Sequence, residues 1–334
     1  MNGSMAIRTT MTACFVLSAV SAAPQSPDAV QIHVAAAKAA AGTEHTAVFD
    51  LLCTAPAPPT QPQNPPAAAR SGPPDRDTWH AEPVKVFDNL YFVGQTEFSA
   101  WAVKTSDGII LVDTIFDYSV EDEVAGGLKK LGLDPLSIKY AIVSHGHGDH
   151  VGGAKYLQDH FGTRVLLSAA DWDLLDRSTG TRPKRDMVAT DGQKLTLGDT
   201  TVTMYLTPGH TLGTISTLIP VKDNGAPHVA AVWGGTMFNW LRNRTAYITP
   251  DRPDSFWFDN YSRSAERFRG IVSQAGVDVL LSNHTSYDGS KTKIPALAQR
   301  RPGDPHPYVI RNESVKRFLT MVDEGAQAGR ARAK

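Results

Sequence analysis

Cysteine is nearly missing: 334 residues hold only Cys14 and Cys53. A disulfide-stapled scaffold and a four-cysteine zinc knuckle are thereby excluded. An excess of either charge is missing too. Lysines and arginines number 33 against 34 acids, a net charge of −1, so no basic surplus exists to neutralise a phosphate backbone, and nucleic acid is not an expected partner. Nor does the body of the chain contain the ~18–20 consecutive apolar residues of a membrane helix. What remains is a chain 41% hydrophobic, enough for one large domain or two small ones. It carries eleven histidines, and their placement decides the reading.

The beginning reads as an address. Arg8 precedes an apolar run over residues 11–20 that ends in Ser21, Ala22 and Ala23 before Pro24. A positive start, a short apolar centre and a small-residue exit describe a secretory signal peptide. We therefore expect residues 1–23 to be removed and the product to be periplasmic or secreted, with Cys53 as its lone thiol. Residues 24–53 are Ala-rich and read as a helical segment. Residues 54–78 follow as a linker, with eight prolines between Thr54 and Pro74, a composition suited to extended chain. A catalytic domain is expected over residues 79–334.

Within that domain strands and helices alternate. Residues 84–87 and 90–93 read as a hairpin turning at Asp88-Asn89, and 100–104 with 109–112 as another. Val120, Val124, Leu128 and Leu131 recur at helical spacing, and Gly132 supplies a stop. The apolar run 138–143 reads as a buried strand. Residues 151–161 read as helix, 165–167 as strand, 195–206 as strands split at Gly198-Asp199, and 215–221 and 229–233 as more strands. A helix over 262–274 and a strand over 277–281 follow. The class is mixed α/β.

The strand at 138–143 delivers the chain into Ser144-His145-Gly146-His147-Gly148-Asp149-His150. Three imidazoles and a carboxylate within six residues suit zinc, and the glycines let a loop turn tightly while opposing a helix. Ligands so close more naturally serve two ions than one: His145 and His147 on the first, Asp149 and His150 on the second. Each ion then needs another protein ligand, and His210 and His284, each just past a predicted strand, are the donors expected. His33, His45, His80, His160, His228 and His306 are read as solvated or structural.

At these residues the chain resembles the metallo-β-lactamase superfamily, from about residue 79 to 321. The family's His-x-His-x-Asp-His motif stands as His145, His147, Asp149 and His150, its Pro-Gly-His-Thr segment as Pro208 to Thr211, and its late histidine as His284. The resemblance implies an αββα four-layer sandwich with two zinc ions at one edge between the sheets. Superfamily hydrolases such as glyoxalase II carry a metal-bridging aspartate after the corresponding strand, and one lactamase subclass a cysteine. Here the segment reads Val232-Trp233-Gly234-Gly235-Thr236-Met237, with neither. The chain thus resembles the third, thiolate-free subclass, departing from it in having no cysteine near Ala275-Gly276 and threonine rather than serine at 236.

The resemblance implies hydrolysis of a small molecule by a zinc-bound hydroxide, a β-lactam ring being the first expectation and another cyclic amide, lactone or ester the alternative. Asp149 would orient the nucleophile. Thr236, Ser286 and Arg242 are the expected anchors for a substrate carboxylate, and Asp113, at the end of the strand 109–112, is expected to hold a ligand imidazole. Phe238, Trp240, Trp257 and Phe258 are candidates for an apolar pocket wall, in a segment (239–261) read as an enlarged flap. A di-iron oxidoreductase on this scaffold would want glutamate in place of His147.

Overall fold

The computed structural model describes residues 1, 27–54 and 73–333. The expected signal peptide, and the linker between 55 and 72, lie outside the described residues. Among the described residues, twelve strands make two sheets. The first holds β1 (Val84–Lys85), β2 (Leu90–Phe92), β3 (Trp101–Thr105), β4 (Gly108–Val112), β5 (Ile138–Ile142), β6 (Arg164–Ser168) and β7 (Met187–Ala189), side by side in chain order. The second holds β8 (Lys194–Leu197), β9 (Thr200–Leu206), β10 (Ile215–Asp223), β11 (Ala226–Trp233) and β12 (Val279–Ser282), also in order. Short connections give antiparallel hairpins, whereas β4–β5, β5–β6, β6–β7 and β11–β12 pair in parallel, because a longer crossover returns each strand in the same direction.

Period-two alternation divides each strand between two cores. In β4, Ile110 and Val112 face the space between the sheets, where they meet Val202, Met204, Ile215, Ile219, Val232 and Leu281 of the second sheet. Ile109 and Leu111 face outward onto Val120 and onto Val124, Leu128 and Leu157 of the helices Glu121–Gly126, Gly127–Lys130 and Ala154–Phe161. In the second sheet Ala231, Trp233 and Leu280 face outward onto the helices Asp254–Gln274 and Arg311–Arg332. Both faces of both sheets are covered, giving the expected helix–sheet–sheet–helix order.

The expected hairpins pair as read, Val84 opposite Phe92 and Trp101 opposite Val112. Three departures matter. Gly148–Val151 forms one helical turn, so Asp149 and His150 stand on a helix that the neighbouring glycines were expected to oppose. The helix expected from 262 begins at Asp254. The helices Ala169–Asp176, Ser290–Gln299 and Arg311–Arg332 are additions to the sequence reading.

The helices Pro27–Ala41 and Thr46–Cys53 pack on Arg311–Arg332: Ala37, Ala41, Val48, Leu52 and Cys53 share an apolar cluster with Phe318, Val322 and Ala326. His45, between them, lies edge-on to Phe318 with Nε2 3.1 Å from the Ser314 carbonyl oxygen. Burial, which opposes the charged ring, pulls its pKa down to about 4, aided by Lys293 and Arg317 against Ser314 and Glu44. The folded pKa lies below the unfolded value near 6.5, so this stabilisation is complete above pH ~6.5 and is lost as pH falls toward the folded value. Comparing wild type with His45→Asn in urea unfolding at pH 7 and pH 5, we expect the wild type to lose about 2 kcal/mol more than the variant on acidification. Equal losses would contradict this role for the ring.

Candidate metal centre

The site sits where β4, β5, β9 and β12 end and the first helical turn begins. His145 follows β5 and is 1% exposed. Its Nδ1 donates to the Gly234 carbonyl oxygen at 2.8 Å, turning Nε2 inward. His210 follows β9; its Nδ1 donates to the Met237 carbonyl oxygen at 2.7 Å, and its Nε2 also turns inward. These two nitrogens lie 3.1 Å apart, and His147 Nδ1 lies 3.2 Å from His210 Nε2. His147 Nε2 pairs with the Tyr247 hydroxyl at 2.7 Å.

The carbonyl bonds fix the tautomers of His145 and His210, because a ring nitrogen donating to a carbonyl leaves its partner nitrogen without a proton. Lone pairs of His145 and His210 therefore face one another across 3.1 Å in a desolvated pocket, where the Asn239 amide is the neighbouring donor at 3.1 Å from His210 Nε2 and a cation would relieve the repulsion. Tetrahedral zinc, with Zn–N of about 2.0–2.1 Å, spaces its nitrogens about 3.3 Å apart. The group His145, His147 and His210 fits such an ion. Burial, reinforced by neighbouring imidazoles, keeps His145 and His210 well below the usual histidine range, and burial takes His147 to about 4. All three are neutral at pH 7, as ligation requires.

The second group is next to it. His145, Asp149 and His150 bring one ligand atom each within 4.8 Å of the others. His150 Nε2 is 3.2 Å and His284 Nε2 3.6 Å from Asp149 Oδ2, and the His150 and His284 rings are 5.2 Å apart. His145 is thus shared by both groups, and His284 joins the second through Asp149. His150 is fully buried, and neither of its ring nitrogens makes a well-directed hydrogen bond among the described residues. Burial works against a charge there, but Asp149 and Asp113 outweigh it and raise the pKa to about 10. Against the same burial, His150 and His284 hold Asp149 below the usual carboxylate range. Burial holds His284 down at about 3. The pocket attracts cations, and its donors suit zinc.

Asp113 stands where expected. Its carboxylate approaches His150 Nδ1 at 3.1 Å and accepts from the Ser144 backbone N–H at 2.6 Å and hydroxyl at 2.9 Å. Its φ of +63° is a conformation non-glycine residues hold only under constraint. Next to it, Thr114 donates through N–H and hydroxyl to the His150 carbonyl oxygen. This contact needs Gly153, where a Cβ would come within 2.3 Å of the Thr114 carbonyl oxygen.

Asp171 does the corresponding work for the first group and was not foreseen. One oxygen accepts from Gly146 N–H at 2.9 Å and the Thr211 hydroxyl at 2.8 Å, and the other from Gly213 N–H at 2.9 Å, tying the His147 loop to the His210 loop. Its signal was the Ser-x-x-Asp start of a helix: Ser168 accepts from the Asp171 N–H. Tyr247 and Asn239, whose amide lies 3.1 Å from His210 Nε2, carry no motif that could have marked them.

The expected anchors differ in depth. Thr236 is 1% exposed and its hydroxyl has no partner among the described residues; beneath the surface, it cannot meet a substrate carboxylate in this conformation. Ser286 is half-buried and Arg242 exposed. The four aromatic candidates are correctly placed as neighbours but mainly as core: Phe238, Trp240, Trp257 and Phe258 are all buried and pack ring on ring. Gly235 is packed so closely on His210 that a Cβ would fall 2.4 Å from the histidine Cβ, leaving no room there for a metal-bridging side chain.

Comparison with known proteins agrees with this geometry. The family model described as Metallo-beta-lactamase superfamily matches residues 98–223. A subclass B3 metallo-beta-lactamase of Bradyrhizobium japonicum superposes with a TM-score of 0.60 at 26% identity, over 72% of this chain and 90% of that one. A Cronobacter sakazakii metallo-beta-lactamase variant gives 0.61 at 24%, over 76% and 97%, and supports the fold. Among curated sequences, hydroxyacylglutathione hydrolases of Acidiphilium cryptum and Pseudomonas syringae are 33% and 30% identical over 34% and 41% of this chain. The matches span only 41% and 54% of those relatives.

Removing one donor should separate the groups. After zinc loading and dialysis, elemental analysis of His284→Ala is expected to show about one ion per chain fewer than wild type, with the His145–His147–His210 ion kept. Undiminished metal in the variant would remove His284 from the centre.

Proposed function

From a chain whose residues 98–223 are a metallo-beta-lactamase superfamily domain, we propose a zinc-dependent hydrolase that opens the β-lactam ring. His145, His147 and His210 would hold one ion, and Asp149, His150 and His284 the other. Zinc in such a setting supplies a water acidic enough to ionise near neutral pH and polarises a carbonyl oxygen.

The remaining work falls to the protein's own groups. Asp149, ionised and beside both His150 and His284, orients the attacking water. With His147 Nδ1 given to the ion, Nε2 carries the ring proton and donates to the Tyr247 oxygen, whose own proton is then free to point at an oxygen gaining charge. Burial raises that hydroxyl to about 12, so the proton is retained at neutral pH. Asn239 adds an amide donor on the same side.

The observation favouring a lactam is Gly235. In the resemblance, thioester hydrolases of the glyoxalase II type place a bridging carboxylate in the segment that reads 232–237 here, which has none, and at Gly235 the close approach to His210 leaves no room for a side chain. The curated relatives favour a second reading, an ester, thioester or lactone as substrate. Export to the periplasm, which would bring the enzyme to β-lactams entering the cell, belongs to the proposal.

A panel of a penicillin, a cephalosporin, a carbapenem, a simple lactone and an acyl thioester, run on metal-quantified protein, tests it. We expect ring opening of at least one β-lactam, abolished by chelation and restored by zinc. Turnover confined to the lactone or thioester would replace the first reading with the second.

A further inference from the structure

Four of the five histidines of the centre are each held by a group outside it. His145 and His210 donate to the Gly234 and Met237 carbonyl oxygens, His147 meets the Tyr247 hydroxyl, and His150 lies 3.1 Å from Asp113. His284 is the exception. Among the described residues its ring makes no hydrogen bond to an outer partner, and its Nε2 lies 3.6 Å from Asp149 Oδ2. A ligand imidazole ordinarily donates its second N–H to an acceptor that fixes the ring. For His284 the orientation is left to the neighbouring rings of Phe98 and Tyr287, at 5.0 and 4.7 Å, and to the backbone that carries it.

That backbone is the loop from Ser282 to Ser290. Its first half is tied to the 96–99 stretch: Ser99 N–H donates to the Asn283 carbonyl oxygen at 2.9 Å and Thr285 N–H to that of Glu97 at 3.2 Å. Its second half returns through one side chain. Asp288 Oδ2 accepts from the Ser282 N–H at 2.8 Å, at the end of β12, and Oδ1 from the Ser290 N–H at 2.9 Å, where the helix Ser290–Gln299 begins. Ser282 passes the constraint on, because its Oγ accepts from the His284 N–H at 3.3 Å, while its carbonyl oxygen takes the Trp101 indole N–H at 2.9 Å. Ser290 is pinned in turn by the Tyr308 hydroxyl, 2.9 Å from its Oγ.

Helix capping does not account for Asp288. The cap position is held by Gly289, and a side chain that only ordered the helix would have no use for the strand on its other oxygen. Asp288 is also 5% exposed, and a carboxylate is costly to bury. Asp113 and Asp171 brace the 144–150 motif and the His210 loop. Neither reaches His284. Asp288 fills that gap.

We propose that Asp288 is the positioning residue of His284, and that it thereby governs the affinity for the ion at Asp149, His150 and His284 without affecting the ion at His145, His147 and His210. This rests on the two-ion reading of the centre and on no particular substrate. A ligand held in place beforehand spares the ion the cost of ordering it. Because His284 has no outer acceptor for its ring, loosening its loop returns that cost to one ion alone.

The test measures stepwise zinc affinities of the full-length protein by competition with a chromophoric chelator, alongside urea unfolding. The step that His284→Ala loses identifies the ion in question. In Asp288→Asn, which keeps the size of the side chain but only one acceptor oxygen, we expect that step to weaken roughly tenfold or more, with the other step unchanged. Ser282→Ala, which cuts the link to the His284 N–H, should weaken the same step in the same direction. Tyr308→Phe, which removes a hydroxyl from the same network without touching the loop backbone, should lower stability and leave both steps alone. An unchanged step in Asp288→Asn, equal weakening of both steps, or the same loss in Tyr308→Phe would each overturn the inference. Should Asp288→Asn fail to fold, an unchanged step in Ser282→Ala overturns it. A wild type that binds a single ion would instead overturn the two-ion centre, whereas failure of the hydrolysis panel would leave Asp288 in its role.

Discussion

Unprotonated imidazole nitrogens held 3.1 Å apart in a dry pocket are the arrangement on which the rest of the molecule depends. Left alone, such lone pairs would turn away or take up a proton. They are kept in place by carbonyl oxygens behind them, those of Gly234 and Met237, and both carbonyls belong to the chain leaving β11. One segment therefore sets the tautomers of histidines contributed by β5 and β9. Asn283, just after β12, donates to the same Gly234 oxygen at 2.8 Å and to Ser144, so the ends of several strands share one hydrogen-bonded rim. This outer layer orients the ligands before any ion arrives, and it makes the centre a property of the sheets rather than of loose loops.

Two buried carboxylates divide the task of holding that rim. Asp113 grips the start of the motif through Ser144 and His150, and Asp171 grips Gly146, Thr211 and Gly213. Their electrostatic consequences differ. Asp113 acts with Asp149 to favour a positive charge at His150, which suits a place where a cation is to bind. Asp171 spends its oxygens on neutral donors, and burial pushes its carboxyl up, so it orders loops with little pull on the metal side.

Much of this was legible in the sequence, for definite reasons. Alternation exposed the hairpins, since a half-buried strand must repeat with period two, and the clustered His145, His147, Asp149 and His150 announced a metal site by residue type alone. The convergence of His210 and His284 on them was inferred from their positions past predicted strands. The failures are equally physical. Glycines at 146 and 148 argued against helix, yet Gly148–Val151 closes a turn because Thr114 and Gly153 brace it from outside, a long-range contact no local pattern carries. The long helix Arg311–Arg332 has small residues where other helices press closest: at Gly329 a Cβ would fall 2.3 Å from Phe258. Its apolar stripe is diluted accordingly. Thr236 looked like an anchor because a hydroxyl stood in the right motif position, but position along the chain does not report depth.

The segment between β11 and the helix Asp254–Gln274 shows why its aromatics are core and its polar residues are not. Trp240 stacks near Trp257, and Phe238 meets Phe258 and Tyr261 edge-on, anchoring the segment from beneath. The Trp257 indole N–H donates to the Tyr247 carbonyl oxygen, and Arg244 is clamped by Asp254. Asn239 and Tyr247 are thus carried on a packed floor, not on a free flap. Residues that touch a substrate lose less entropy on binding when their backbone is already fixed. A rigid underside thus holds Asn239 and Tyr247 against His210 and His147, while the strand ends position the histidines themselves.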